Sequence, residues 1–161
     1  MSDVLDRPVD ATALRDLPGI EQLRAVFDGK TAWKGIASTL GFRGVHLEEG
    51  FVVFEGNPTR AVYNPIGTVH GGYAATLLDS AVGCAVQSML KPGQGFTTLE
   101  LKVAYHRAMT DESGPVRAEG RVTTLGRRAA FAEGKLFDGK GRLCASCTST
   151  LLVFTVDKPQ S

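Results

Sequence analysis

The stretch of this chain with the fewest ways to fold runs from Asn64 to Leu90, NPIGTVHGGYAATLLDSAVGCAVQSML. From Tyr73 onward it is made of Ala, Leu, Val, Met, Cys and Gly with a few Thr, Ser and Gln, so a helix built from it has no polar face at any phase. A helix apolar all round belongs in an interior. About 18 residues could also span a bilayer, but Asp79 near the middle, the small residues and Gly83 argue against contact with lipid. The rest of the chain is therefore expected to cover this helix.

Asp79 is the only acidic residue between Glu55 and Glu100. It falls where the helix is expected to be driest, and a carboxylate placed there needs a partner or a task. At the other end, His70, Gly71 and Gly72 lead into the first turn, where N–H groups lack helical acceptors and the helix dipole is positive. Such an end suits an oxyanion, and glycine lets a carbonyl approach the backbone without striking a Cβ. Gly71 and Asp79 are eight positions apart, roughly 12 Å along one helix axis. They cannot both touch one reacting carbonyl, so joint action requires Gly71 of one chain and Asp79 of another, as antiparallel helices in a two-fold dimer would supply.

Composition narrows the partners. In 161 residues, 43% are hydrophobic, which fits one domain with a real core. Eighteen basic against 17 acidic residues leave a net charge of +1, with no broad field for nucleic acid or an anionic membrane. The N-terminal sequence MSDVLDRPVDATALRDLPG lacks the apolar core of a signal peptide, so a cytoplasmic location is expected. Cys84, Cys144 and Cys147 are an odd number and argue against a disulfide framework. Cys144 and Cys147 are three apart on an expected strand, which sends the thiols to opposite faces rather than to one metal.

In chain order, residues 1–18 are expected to be poorly ordered and residues 19–156 to form one domain. Ile20, Leu23, Val26 and Phe27 recur at helical spacing up to Asp28-Gly29, and a short turn of helix is expected from Ile36 to Leu40. Trp33, between them, suits the core or a pocket wall. Strands are expected over 42–49 and 51–56, joined at Glu49-Gly50, and over 60–63. After the central helix, four strands follow: residues 98–106 with Leu99, Leu101, Val103 and Tyr105 inward, then 116–125, 129–137 and 143–154. One buried helix and a meander of antiparallel strands make an α+β domain with the sheet wrapped round the helix.

These residues resemble a known family. N-P-x-G-x-x-H-G-G followed by Asp, as Asn64, Gly67, His70, Gly71, Gly72 and Asp79, together with the strand from Thr97 to Arg107, the segment Leu125-Gly126-Arg127-Arg128 and the closing strand at Leu143-Cys144-Ala145, is similar to hotdog-fold acyl-CoA thioesterases of the phenylacetyl-CoA thioesterase (PaaI-type) group. The resemblance implies a hotdog fold, dimers and often tetramers built as dimers of dimers, and active sites at the dimer interface. It implies Asp79 as general base or nucleophile, the Gly71 N–H on the thioester oxygen, and His70 and Asn64 as positioning groups. Thr97, or Thr98 beside it, matches the hydroxyl residue that orients the water in some members.

The chemistry agrees with the residue types. Thioester hydrolysis needs N–H donors to polarise the carbonyl and a group to activate water or attack directly. Asp79 could do either. Gly72, Arg127 and Arg128 are candidates for contacts with coenzyme A, the arginines because guanidinium matches phosphate oxygens; a solvated turn is the alternative for the pair. Tyr73, Leu77, Phe96 and Trp33 are candidates for an acyl pocket. No metal or redox cofactor is called for, and no HExxH, GxSxG, Walker or GxGxxG pattern is present. An enoyl-thioester hydratase or a non-catalytic acyl-CoA-binding module on the same fold remain the alternatives.

Overall fold

A computed structural model describes residues 14–28 and 35–156. The expectations for residues 1–13 and for Trp33 lie outside the described residues. The elements are α1 (Gly19–Phe27), α2 (Ile36–Leu40), β1 (Phe42–Glu48), β2 (Phe51–Gly56), α3 (Gly71–Ser88), β3 (Gln94–Tyr105), β4 (Val116–Leu125), β5 (Ala129–Phe137) and β6 (Leu143–Thr155). The six strands form one antiparallel sheet in the order β1-β2-β4-β5-β6-β3, wrapped round α3 as expected.

Small residues let the helix sink into the sheet. Gly120 of β4 and Gly134 of β5 are register partners. A Cβ on Gly120 would stand 2.3 Å from the backbone carbonyl of Ala81, and one on Gly134 would meet Cys147 Sγ, Leu78 and Val82 at 2.9 to 3.1 Å. Ala118, Ala130, Ala132 and Ala145 continue this shallow bed. Into it α3 presses Leu77, Leu78, Ala81, Val82, Ala85 and Val86, all fully buried, with each large side chain contributing roughly 1.5–3 kcal/mol on burial. The end of the helix is tied down by Ser88, whose hydroxyl donates to Ala85 O at 2.6 Å and accepts from Gly50 N at 2.8 Å in the β1–β2 turn. Gly19 N donates to Leu90 O, docking α1 on the same end, and Gly93 N donates to Arg15 O, so residues just before α1 are also held.

Three expectations are corrected. The stretch 60–63 is not a strand but a single 3-10 turn over Arg60–Val62, because Thr59 accepts from Ala61 N and turns the chain, leaving Tyr63 one isolated bridge to Val69. Leu99 does not face the helix. A bulge in the β3–β6 ladder between Thr98 and Glu100 adds one residue, so Phe96 and Thr98 point inward before it and Leu101 and Val103 after it, while Leu99 is 62% exposed. Finally, α3 is not covered on every side by its own chain. Gly72 is exposed and Thr76, Asp79 and Ser80 are half-buried, leaving an open stripe along the helix.

Candidate active site

The entrance to α3 is built by its own turn. Asn64 Oδ1 accepts from Ile66 N and Thr68 N at 3.2 and 3.3 Å, its Nδ2 donates to Thr68 Oγ1 at 3.0 Å, and Gly67 takes a positive φ of 86° to close the loop. Asn64 thus spends its amide on shaping the approach. Beyond it, His70 N donates to Val62 O, and His70 Nδ1 accepts from Gly72 N at 2.8 Å, an N-cap for the helix. With Nδ1 accepting, the neutral imidazole carries its proton on Nε2. Tyr73 N donates to His70 O at 3.0 Å. Among the described residues nothing accepts from the Gly71 N–H, which is the free donor of the first turn.

Tyr105, at the end of β3, closes over this glycine. Its hydroxyl donates to Gly71 O at 2.9 Å, and its ring lies 3.0 to 3.1 Å from where a Cβ on Gly71 would be. Beside it opens a cleft of ≈ 350 Å³ lined by Gly71, Ala74, Tyr105, Met109 and Cys144, with His106 and Arg107 among its other walls.

Two turns along the helix, Asp79 accepts from Thr98 Oγ1 at 3.1 Å through Oδ1. Thr98 therefore replaces Thr97 as the hydroxyl beside the carboxylate; Thr97, of opposite parity, is exposed. Cys84 and Cys147 lie close enough to sense Asp79. Burial first, and the Asp79 carboxylate second, push the Cys84 thiol up to about 12; burial drives Cys147 up to about 11, with Asp79 adding to it. Both thiols stay protonated at neutral pH and are poor nucleophiles. All three cysteines are free.

The structure brings together Asn64, His70, Gly71 and Gly72 at one end of α3 and Asp79 with Thr98 further along. It does not bring these two groups together within the chain. Arg127 and Arg128 are exposed on the β4–β5 turn. Arg128 O accepts from Val153 N, whereas Tyr105 stands opposite Ala145; eight residues along β6 are roughly 26 Å. Of the acyl-pocket candidates, Tyr73 and Leu77 are buried in the core facing the sheet, and Phe96 covers Gly83. Simple alternation puts Tyr105 inward with Leu101 and Val103 but gives it no role, and it puts Thr98 outward; the bulge at Leu99 is what turns Thr98 toward the helix.

A six-stranded antiparallel sheet wrapped round one long helix, with a free glycine N–H at the helix start and a carboxylate two turns on, is a hotdog fold. The thioesterase superfamily model matches residues 66–145, spanning both groups. A proofreading thioesterase, EntH, of Klebsiella pneumoniae is 34% identical over 108 residues, covering 67% of this chain and 77% of that protein. A solved structure of a putative thioesterase, a phenylacetic acid degradation-related protein from Ralstonia eutropha, superposes with a TM-score of 0.72 at 27% identity, covering 80% and 97% of the two chains. The PaaI protein of Escherichia coli shares the fold at 17% identity and a TM-score of 0.73, covering 87% and 97%. The chain belongs to the thioesterase superfamily. Among the described residues, no helix is long and apolar enough to cross a membrane.

Proposed function

We propose that this protein hydrolyses the thioester of an aryl- or medium-chain acyl-CoA in the cytoplasm, at sites shared between two subunits, with Asp79 of one chain and the Gly71 N–H of its partner on the same substrate. The observation that carries this reading is the separation of two unspent groups on one rigid helix. Among the described residues the Gly71 N–H lacks an acceptor, Asp79 lies on the half-open stripe, and eight residues of α-helix hold them roughly 12 Å apart. A second copy with its α3 antiparallel would set its Gly71 beside Asp79. The stripe of Gly72, Thr76 and Ser80 admits such a close neighbour, and β3, twelve residues long with one edge unpaired, offers a strand for a second β3. The same surfaces suit a homodimer, and the resemblance to PaaI-type enzymes extends this to a tetramer built as a dimer of dimers.

In the reaction, the thioester oxygen accepts from the Gly71 N–H, which is worth ~3–4 kcal/mol once the oxygen becomes an oxyanion. Thr98 holds Oδ1 of Asp79 and leaves Oδ2 free. Asp79 takes a proton from water as the water oxygen bonds to the carbonyl carbon; the tetrahedral oxyanion then collapses, the C–S bond breaks, and the CoA thiolate leaves and is protonated. Direct attack by Asp79, giving a mixed anhydride that water cleaves, uses the same contacts. His70 and Asn64 hold the donor end, Gly72 gives the substrate a path past it, and Arg127 and Arg128 take phosphates of coenzyme A.

The test is thiol release from benzoyl-, phenylacetyl- and hexanoyl-CoA. Wild type is expected to release free CoA from at least one, and Asp79→Asn to release it ~100- to 10,000-fold more slowly. Full activity of Asp79→Asn, loss of enoyl absorbance from enoyl-CoAs without thiol release, or tight binding without turnover would each overturn the reading.

A further inference from the structure

We infer that Tyr105 is the positioning residue of the oxyanion donor, holding Gly71 from the edge of the sheet; this rests on the thioesterase reading of the Gly71 N–H.

A glycine at a helix start has two loose peptide planes, and a donor works only when its N–H points where charge will develop. The plane before Gly71 is held at its carbonyl end, since His70 O accepts from Tyr73 N. The plane after it is held at both ends. Its N–H, that of Gly72, donates to His70 Nδ1 at 2.8 Å, and its carbonyl, Gly71 O, accepts from the Tyr105 hydroxyl at 2.9 Å. The Tyr105 ring fills the space a side chain on Gly71 would occupy, with Cζ and Oη at 3.0 Å from that point. The torsions of the donor are thus fixed by a phenol from another element, packed where a side chain on Gly71 would stand.

The placement of Tyr105 is specific. It shares a face with Leu101 and Val103, the set that the bulge at Leu99 turns toward α3, and the residue is 57% exposed, more than core packing would leave. It also lines the cleft that opens beside Gly71, so the residue that orients the donor forms one wall of the approach to it. The consequence is a division of labour: Tyr105 acts through Gly71 and makes no bond to the reacting atoms.

The experiment compares Tyr105→Phe, Tyr105→Ala and Asp79→Asn on whichever of benzoyl-, phenylacetyl- and hexanoyl-CoA the wild type cleaves. Tyr105→Phe keeps the ring and removes one hydroxyl, so kcat is expected to fall about tenfold with KM within about twofold of wild type. Tyr105→Ala, which removes both the hydroxyl on Gly71 O and the ring beside Gly71, is expected to lose about a hundredfold in kcat. The thermal midpoint of Tyr105→Phe should stay close to wild type, which separates positioning from folding. Wild-type kcat in Tyr105→Phe while Asp79→Asn is inactive would overturn this inference alone. A rise in KM at unchanged kcat would assign Tyr105 to the cleft wall instead, and would equally overturn it. Full activity in Asp79→Asn, or no turnover by the wild type, removes the thioesterase reading and this inference with it.

Discussion

Asp79 and Thr98 meet through one hydrogen bond, and the residues on either side of that bond make different predictions. Thr98 Oγ1 donates to Oδ1 of the carboxylate at 3.1 Å, so Thr98→Ala should leave Asp79 present but free to rotate. We expect kcat to fall about tenfold, less than the loss in Asp79→Asn, because the base survives and only its orientation suffers. Thr97→Ala should be silent in both kcat and stability, since that side chain is exposed on the far face of β3. Steady-state kinetics of the two alanine variants checks the assignment, and a larger effect at Thr97 would refute it. The sequence leaves two adjacent threonines as equals. Alternation counted back from Leu101 selects Thr97, and the extra residue at Leu99 is what turns the selection over.

Elements bring their own constraints. The helix bed depends on Gly120 and Gly134, and the Cβ of Gly120→Ala would meet main-chain atoms of Ala81 and Val82 at 2.3 to 2.6 Å. Main chain in the middle of a buried helix cannot step aside as a side-chain tip can. We expect Gly120→Ala to destabilise by about 1–3 kcal/mol, measured as a lower urea midpoint at unchanged slope. A second element-level device joins the turn ahead of α3 to the loop after β3. Tyr63 Oη donates to Asp111 Oδ1 at 2.7 Å and accepts from Asp111 N at 2.8 Å, with Arg60 Nε on Oδ2 at 3.2 Å. The Tyr63 hydroxyl first, then Arg60, hold the Asp111 carboxyl below its usual range. A carboxylate depressed in the folded state stabilises it above the unfolded value near 3.9, and that contribution is lost as pH falls through the lower folded value. Tyr63→Phe should therefore be less stable than wild type at neutral pH, with the gap narrowing in acid; urea midpoints at pH 7 and about pH 3 measure it.

For the whole molecule, the decisive question is whether one site needs two chains. Asp79→Asn removes the proposed base, and Gly71→Pro removes the donor N–H at a first-turn position whose backbone suits proline, its ring displacing the Tyr105 phenol beside it. Each homodimer should be inactive. In a mixed dimer of the two variants, one site carries both lesions and the other carries neither, so co-refolded variants should recover about a quarter of wild-type activity if chains pair at random. A site confined to one chain recovers nothing. Sedimentation of the wild type as a monomer at assay concentration would sink the shared site independently.

By itself the sequence determined the buried helix, the glycine turn at its start, the lone carboxylate along it and most strand limits, because hydrophobic period, glycine turns and helix length are local properties. Asn64, His70, Gly71 and Asp79 stand out in one dimension because their spacing along α3 is fixed by helical rise. Only the tertiary structure decided that β3 crosses to the edge beside β6, that a bulge at Leu99 sends Thr98 to Asp79 and Tyr105 to Gly71, and that one stripe of α3 stays half open. Those outcomes depend on which strand pairs with which and in what register, and pairing is settled by packing against residues forty or more positions away, which no local pattern encodes.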